Sequence, residues 1–393
     1  MSTAVIVDAV RTAGGKRNGK LRNWHSADLA SEPLRALVER NDLDPALVDD
    51  VIMGCVMQVG EQALNVGRNA VLAAGWPESV PATTIDRQCG SSQQALHFAA
   101  QGVMAGAYDV VVAAGVEVMT RTPMGSSVVR DLGFPFGPRV MSRYAERGGL
   151  VSQGEGAELI AEKWGISRDQ LDEFAVRSHK LAAQATAEGR FEREIIPVAI
   201  RDDDGSETDE LVTADEGIRP DSSVEVLGNL KPAFRAENGR ITAGNSSQIT
   251  DGASATLVMS EEKAAALGLT PRARFVGFAV AGADPITMLT GPIPATRQVL
   301  ERAKLTLDDI DLVEINEAFA SVPLAWAAEL GADMEKVNVN GGAIALGHPL
   351  GASGAKLMAT LLNELERTGG RYGLLTMCEG GGLANATIIE RLG

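Results

Sequence analysis

Apolar positions recur with two different periods along the chain. Short β-branched runs bounded by turn residues predict strands, and longer stretches with apolar residues every three to four positions predict helices. In the first third the predicted strands are Val5–Val7, Val51–Met53, Thr83–Ile85 and Val110–Ala114, and helices are predicted from about Asp28 to Arg40 and after Cys89. This alternation of strands and helices predicts an α/β fold.

The sequence changes in character after Thr120, where Gly, Pro, Arg and Ser become frequent. The elements predicted from there on are amphipathic helices near Ala157–Lys163 and Arg168–Glu188, strands at Gly252–Met259 and from Arg274, and a helix at Pro294–Lys304. We therefore expect residues 121–248 to form an inserted loop domain. The core would consist of an N-terminal half (residues 1–120 plus 249–272) and a C-terminal half (residues 273–393).

The second half of the chain repeats the order of the first. Asp50–Gly54 resembles Asp311–Ile315 in sequence. A strand, Cys89 in a Gly/Ser turn, a helix and Val110–Gly115 are matched by Val337–Asn340, His348 in a Gly-rich turn, a helix and Leu374–Met377. Two copies of one α/β unit would bring Cys89 and His348 close to a shared pseudo-dyad.

Charge and cysteine content exclude several classes of protein. The 393 residues carry 36 Lys and Arg against 52 Asp and Glu, a net charge of -16, which disfavours nucleic acid and anionic membranes as partners. The three cysteines are irregularly spaced, which predicts reduced thiols with neither a disulfide framework nor a metal site. With no signal peptide, no long apolar run and a C-terminus that is not Ser-Lys-Leu, a cytoplasmic protein is expected.

Cys89 lies where a predicted strand gives way to a helix, within Asp86-Arg87-Gln88-Cys89-Gly90. Unpaired N–H groups and the positive end of the helix dipole would lower the pKa of this thiol and favour a nucleophilic thiolate. No charged residue occurs between Arg87 and Asp109, so the helix is expected to be buried. The alternative is a small apolar core cysteine.

His348 stands in a long uncharged segment with five glycines between Asn340 and Gly354. Such a segment indicates backbone packed closely around a ligand or another loop, and an activated cysteine needs a nearby base. The alternative is a hydrogen-bonded core histidine, which is the interpretation favoured for His25, His97 and His179.

Cys378 follows the strand Leu374–Met377 and precedes Glu379 and three glycines. The glycines free backbone N–H groups for an oxyanion hole beside an exchangeable thiol, although such a loop could equally hold a phosphate. Asn316, in Asn316-Glu317-Ala318-Phe319, could hold a water or donate to an oxyanion. It could also be a helix N-cap with Glu317 in the first turn.

Together these four blocks resemble the active-site motifs of the thiolase family, in matching order along the whole chain. The resemblance implies a duplicated five-layer α-β-α-β-α sandwich whose loop domain binds CoA. It implies acyl transfer from a 3-ketoacyl-CoA through S-acyl-Cys89, reversible to Claisen condensation of acetyl-CoA, within the β-oxidation of fatty acids or other lipids. His348 would activate Cys89, Cys378 would move the α-proton, and Asn316 would hold a water in one oxyanion hole.

The resemblance also assigns binding groups and partners. Gly380 and Cys89 N–H groups would form a second oxyanion hole, while Ser247 and Arg219 would contact CoA, which is a substrate, with no separate cofactor or metal. Lys231 and Arg235 would add positive charge for the CoA phosphates. A homodimer or homotetramer is implied, as is a possible hydratase/dehydrogenase partner.

Three segments depart from the family pattern. Ser152-Gln153-Gly154 replaces the usual Met-Gly of the substrate lid, Gly90-Ser91-Ser92-Gln93 replaces Ser/Gly-Ser-Gly-Leu, and Glu379 replaces a frequently aliphatic residue. The lid change favours degradation of medium, long or bulky 3-ketoacyl-CoAs. Two alternatives are a ketoacyl synthase, which the Cys378 block disfavours, and a catalytically silent acyl-CoA or sterol-binding subunit, which the retention of all four groups disfavours.

Overall fold

The computed structural model describes residues 2–393, which form a duplicated α/β core with a helical insertion. The strands are β1 (Ala4–Thr12), β2 (Gly15–Lys16), β3 (Asp50–Gly54), β4 (Ala82–Ile85), β5 (Val110–Val118), β6 (Ile195–Ile196), β7 (Val198–Arg201), β8 (Glu207–Val212), β9 (Thr250–Ser260), β10 (Ala273–Gly282), β11 (Leu312–Ile315), β12 (Tyr372–Glu379) and β13 (Leu383–Arg391).

The helices lie between and around these strands. They are α1 (Ser26–Arg40), α2 (Val66–Ala73), α3 (Ser91–Met104), α4 (Pro138–Ala145), α5 (Gln153–Lys163), α6 (Arg168–Ala187), α7 (Val224–Gly228), α8 (Glu261–Ala266), α9 (Pro292–Ala303), α10 (Ser321–Leu330), α11 (Ala343–Leu346) and α12 (Ser353–Thr368). None of them, within residues 2–393, is long and apolar enough to cross a bilayer.

The two halves of the core have the same strand order. In the first half the order is β4-β3-β5-β9-β1, and in the second half β11-β12-β13-β10 follows the same sequence of parallel and antiparallel pairings. A short antiparallel contact between β1 and β10 joins the two halves. The repeat predicted from Asp50–Gly54 and Asp311–Ile315 is therefore confirmed, because β3 and β11 hold equivalent positions, β3 parallel to β5 and β11 parallel to β12.

The position equivalent to β4 in the second half is occupied by isolated bridges and not by the strand predicted at Val337–Asn340. The reason is Asn338, whose φ is 47° and whose side-chain amide pairs with both the N–H and the carbonyl of Ile315 at 2.8 and 2.9 Å. A side chain that takes over these backbone partners replaces the regular ladder.

Helices cover both faces of each half-sheet, giving five layers. Helices α1 and α2 pack on the outer side of the first half, α9 and α10 lie on the outer side of the second, and α3 and α12 pack together in the middle layer. The α3 side chains from Ser91 to Gln94 are all buried, as the uncharged sequence predicted. This arrangement confirms the five-layer α-β-α-β-α sandwich.

The chain leaves the core after β5 and returns at β9. In between it forms α4–α7 and a two-stranded sheet of β7 and β8, and β6 pairs with β1. The division of the chain into an inserted domain at residues 121–248 and two core halves remains a prediction.

Candidate active site

Cys89 lies in a tight turn between β4 and α3. Gln88, just before it, has a left-handed backbone with φ 49°, and Gly90 is the N-cap of α3. The turn is fixed by Ser91, whose Oγ accepts from Arg87 N at 2.9 Å and donates to Gln88 O at 2.6 Å. Cys89 thus stands at the N-terminus of a buried helix, as predicted, and only 6% of it is exposed.

The expectation that the helix dipole lowers the pKa of Cys89 is wrong. Burial raises the pKa of this thiol well above its ordinary value. Loss of hydration penalises the thiolate more than the end of one helix stabilises it. The resting sulfur is therefore a thiol, which needs a base to become a nucleophile.

His348 can act as such a base because one tautomer is fixed. Its Nδ1 lies 2.5 Å from Ser353 Oγ, and that hydroxyl donates to Pro349 O at 2.8 Å. Ser353 must therefore accept from Nδ1–H, which leaves the lone pair on Nε2. Burial, with Lys356 nearby, lowers the pKa of His348 to about 3, so the imidazole is neutral near pH 7.

Backbone contacts hold the His348 loop in place. His348 N donates to Thr250 Oγ1 at 3.0 Å, and Lys356 Nζ donates to the carbonyls of Leu346 and Gly347 at 2.6 and 2.9 Å. The glycines allow close packing here: a Cβ on Gly347 would lie 2.3 Å from Thr250 Oγ1.

Asn316 connects His348 to Cys378. Its Nδ2 lies 3.4 Å from His348 Nε2 and 3.9 Å from Cys378 Sγ, and Cys378 Sγ lies 4.0 Å from the Asn316 carbonyl. Burial raises the pKa of Cys378 to about 12, partly opposed by the contact with Asn316. Asn316 Oδ1 has no donor among the described residues, so it can accept from a water or a ligand.

The N-cap alternative for Asn316 is wrong, because α10 begins only at Ser321. Glu317 instead anchors this loop: it accepts from Ser178 Oγ at 2.7 Å, Asn338 Nδ2 at 2.9 Å and Ile344 N at 3.1 Å. The carboxylate fixes Asn316 against α6 and α11.

Gly380 begins the turn between β12 and β13, in which Gly381 and Gly382 have φ 79° and 80°. A Cβ on Gly380 would lie 2.8 Å from Gln88 Oε1 and 3.4 Å from Gln153 Nε2. The glycine turn therefore packs against the side chain of the residue that precedes Cys89.

A cavity of about 160 Å³ opens onto Cys89 and His348. Ser247 lines it, as predicted for a CoA contact. Gln153, Ser246, Ala318 and Phe319 also line it, and they lie in or beside the motifs singled out from the sequence. Sequence reasoning missed the remaining wall residues, which are Met119, Met124, Phe234, Gln248, Ile249 and Leu350.

The basic residues predicted to meet CoA and the three other histidines lie in different environments. Arg219 is exposed and does not line the cavity. Arg235 is not available to CoA phosphates, because Glu155 and Glu162 both accept hydrogen bonds from its guanidinium. His25 is an exposed N-cap and not a core histidine, whereas His97 and His179 are buried.

Comparisons with known proteins agree with this geometry. Residues 4–262 match the model of the thiolase N-terminal domain, and residues 269–391 match that of the thiolase C-terminal domain. The chain belongs to the thiolase family. It is thus an acyltransferase of the thiolase type, an enzyme class that uses CoA as a substrate.

Individual thiolases are similar over their full length. The steroid 3-ketoacyl-CoA thiolase FadA6 of Mycobacterium tuberculosis is 53% identical, with 100% of this chain and 95% of that protein covered. A 3-ketoacyl-CoA thiolase of Aliivibrio fischeri is 47% identical, with 100% of both chains covered. The crystal structure of the Bacillus anthracis acetyl-CoA acetyltransferase has a TM-score of 0.90 and 41% identity, covering 100% of this chain and 99% of that one.

Proposed function

We propose that this thiolase cleaves 3-ketoacyl-CoA with CoA, releasing acetyl-CoA and a shortened acyl-CoA, and that Cys89 carries the acyl group. The observation that carries the proposal is the meeting of four groups from distant parts of the chain. Cys89 and His348 face one cavity, and Asn316 lies within 4 Å of both His348 Nε2 and Cys378 Sγ.

In the first step the Cys89 sulfur attacks the 3-keto carbon. His348 Nε2 takes the thiol proton, and the new S–C bond turns the keto oxygen into an oxyanion. N–H groups of Cys89 and Gly380 would stabilise this oxyanion, a role supported by the packing of Gly380 against Gln88. Removing one oxyanion-hole donor typically costs about 3 kcal/mol.

The C2–C3 bond then breaks and its electron pair passes to C2, giving the enolate of acetyl-CoA. Cys378 donates a proton to C2, and in the condensing direction its thiolate would take that proton from acetyl-CoA. The thioester oxygen of the enolate would be held by His348 Nε2, protonated since the first step, and by a water bound to Asn316. The contact of Asn316 Nδ2 with Cys378 Sγ at 3.9 Å supports placing the water bound to Asn316 beside Cys378.

Deacylation uses the thiol of a second CoA. That thiol attacks the acyl carbon, its proton is taken by the Cys378 thiolate that the second step left, and the S–C bond to Cys89 breaks. The Cys89 sulfur then recovers its proton from His348 Nε2. A thioester suits this exchange because a thiol is both its leaving group and its acceptor.

For CoA binding we propose Ser247 beside the pantetheine and Arg219 towards the phosphates. Ser247 lines the Cys89 cavity, and its N–H is tied to Ala318 O at 2.9 Å, which fixes the loop. Arg219 is exposed, as a residue that meets a phosphate at the protein surface must be.

An apolar groove supports a medium, long or bulky acyl substrate. It measures about 490 Å³ and begins at Gly381 and Gly382, directly after Gly380. Arg143 is the one charged residue of its wall, and its other lining residues are Phe134, Phe136, Val140, Met141, Tyr144, Leu150, Val151, Gly282, Ala283, Pro285, Met288 and Leu383. The name of FadA6, a steroid 3-ketoacyl-CoA thiolase that is 53% identical, supports a bulky acyl group.

Steady-state thiolysis tests this function. The values of kcat/KM for acetoacetyl-CoA and for longer 3-ketoacyl-CoAs would be compared at saturating CoA, and the longer substrates should be preferred. A clear preference for the four-carbon substrate would overturn the acyl assignment. Assembly into a homodimer or homotetramer, or with a hydratase/dehydrogenase subunit, remains a prediction.

A further inference from the structure

A buried polar cluster joins α3, which follows Cys89, to the β12–β13 hairpin, which carries Cys378. Asn385 Nδ2 donates to Gln94 Oε1 at 3.0 Å and faces His97 Nδ1 at 3.4 Å. Gln93 Nε2 donates to Leu375 O at 3.0 Å and to Thr387 Oγ1 at 2.8 Å. The two segments that hold the cysteines are therefore connected by side chains with fixed partners.

Glu379 lies at the catalytic end of this cluster and is completely buried. Neither of its carboxyl oxygens accepts a well-formed hydrogen bond from the described residues, although the Asn385 backbone N–H is close enough to oppose the rise in its pKa, and no Lys or Arg among them lies within 4 Å of it. A buried carboxylate with neither type of partner is strongly destabilised. The charge state of Glu379 therefore requires an explanation.

Asn385 also has a buried oxygen without a hydrogen-bond donor. Its Nδ2 is used by Gln94, and its Oδ1 has no donor in the described part of the chain. The two unsatisfied acceptors share one small space over the N-cap of α3: a Cβ built on Gly90 would lie 1.9 Å from Glu379 Oε1 and 2.7 Å from Asn385 Oδ1. One proton on the Glu379 carboxyl group would satisfy both residues.

We propose that Glu379 is an uncharged carboxylic acid in the working enzyme and donates its O–H to Asn385 Oδ1. In this state Glu379 is a positioning residue, which fixes the turn carrying Cys89 relative to the strand carrying Cys378. The inference rests on the roles proposed above for these two cysteines. It joins two departures from the family pattern, Glu379 and Gln93, in one cluster.

The charges around Glu379 are consistent with the neutral form. Burial raises the pKa of Glu379 well above its ordinary value; Arg87 and the backbone N–H of Asn385 oppose this, and Asp86 adds to it. His97, on α3, is neutral because burial lowers its pKa to about 3. An ionised Glu379 would disfavour thiolates at both Cys89 and Cys378, since its charge raises the pKa of each thiol.

Infrared difference spectroscopy tests the protonation state without relying on catalysis. Wild type minus Glu379→Gln should show the loss of one protonated-carboxyl C=O band near pH 7. Glu364→Gln is the matched control, because Glu364 is also buried but is ion-paired with Arg367, and this variant should leave the band unchanged. A lost carboxylate band in Glu379→Gln would overturn the proposal; that result would mean that the Asn385 amide is turned and donates to an ionised Glu379.

Alkylation of Cys89 by iodoacetamide is a second test of the charge state of Glu379. Gln keeps both the neutral charge and a donor for Asn385, so Glu379→Gln should alkylate within about twofold of wild type from pH 6 to 8. If Glu379 were ionised, removing its charge would lower the pKa of the Cys89 thiol and speed its alkylation. An alkylation rate tenfold or more above that of the wild type would therefore contradict the proposal.

Glu379→Met tests the positioning role, because it keeps the length of the side chain but cannot donate. Its kcat should fall about tenfold while the KM for CoA changes little, and Glu379→Gln should restore the rate. Equal rates for the Met and Gln variants would contradict a positioning role. Failure of Cys89 to become acylated in the wild type would instead refute the proposed function, and the infrared result would be unaffected.

Discussion

His348 Nδ1 lies 2.5 Å from Ser353 Oγ, and the hydroxyl of Ser353 donates onward to Pro349 O. Both residues belong to the same Gly-rich segment, which turns from the His348 loop into α12. The pair determines which imidazole nitrogen carries the proton, and so makes His348 Nε2 the base that faces Asn316.

Replacing Ser353 with Ala should therefore lower kcat by roughly tenfold or more, because a base in the wrong tautomer loses part of its contribution to catalysis. The KM for CoA should change little. Ser254→Ala is the matched control, since this buried serine donates to Ala352 O without touching His348. Equal kcat values for the two variants would argue against tautomer control by Ser353.

Cys378→Ala should separate the two halves of the reaction. Proton transfer at C2 requires Cys378, so thiolysis should fall by about a hundredfold or more. Exchange of solvent deuterium into the acetyl methyl group of acetyl-CoA should also be lost, while acetylation of Cys89 should continue. Undiminished exchange in this variant, followed by NMR, would assign the C2 proton to another residue.

Buried histidines predict a loss of stability in acid. Burial lowers the pKa of His97 from 6.5 to about 3, so between these values the unfolded chain binds a proton that the folded chain does not. The neutral His97 therefore contributes to the free energy of unfolding in full above pH 6.5, and this contribution is lost as the pH falls towards 3. From pH 7 to pH 5 the wild type should lose about 2 kcal/mol more than His97→Gln in the free energy of unfolding.

Urea denaturation at the two pH values measures this difference. His25→Gln removes an exposed imidazole and serves as the control, which should follow the wild type at both pH values. The same pH dependence in wild type and His97→Gln would show that His97 binds its proton equally well in the folded and the unfolded protein, against the account.

The apolar groove predicts selective loss of activity on bulky substrates. Met141→Ser and Phe136→Ser remove apolar surface from its wall, and each should lower kcat/KM for a long-chain or ring-bearing 3-ketoacyl-CoA by about tenfold. The value for acetoacetyl-CoA should stay within about twofold. A parallel fall for both substrates would indicate a general structural defect and not an acyl contact.

Much of the core and the reactive groups could be predicted from sequence. The strand periodicity located β1, β3, β4 and β5, and the repeated order of elements predicted the matching half. Cys89, His348, Cys378 and Asn316 each stand in a short motif, because nearby glycines and turns give their positions a local signature. Ser353 could have been found as well, since it lies five residues after His348 in the same segment.

Features that depend on contacts between distant segments could not be predicted. Whether Arg235 is free depends on Glu155 and Glu162, which lie on α5, far from Arg235 along the chain. The pKa of Cys89 depends on complete burial under residues far along the chain, which outweighs the local helix terminus. The apolar groove combines residues 134–151 with the turn after Gly380, which no local pattern indicates.

Mass spectrometry of the enzyme incubated with acetyl-CoA tests the central claim most directly. Cys55, a second buried free thiol, provides the control: the wild type and Cys55→Ala should each gain one acetyl group on the Cys89 peptide, and Cys89→Ala should gain none. An acetyl group on another residue, or none on the wild type, would contradict the account.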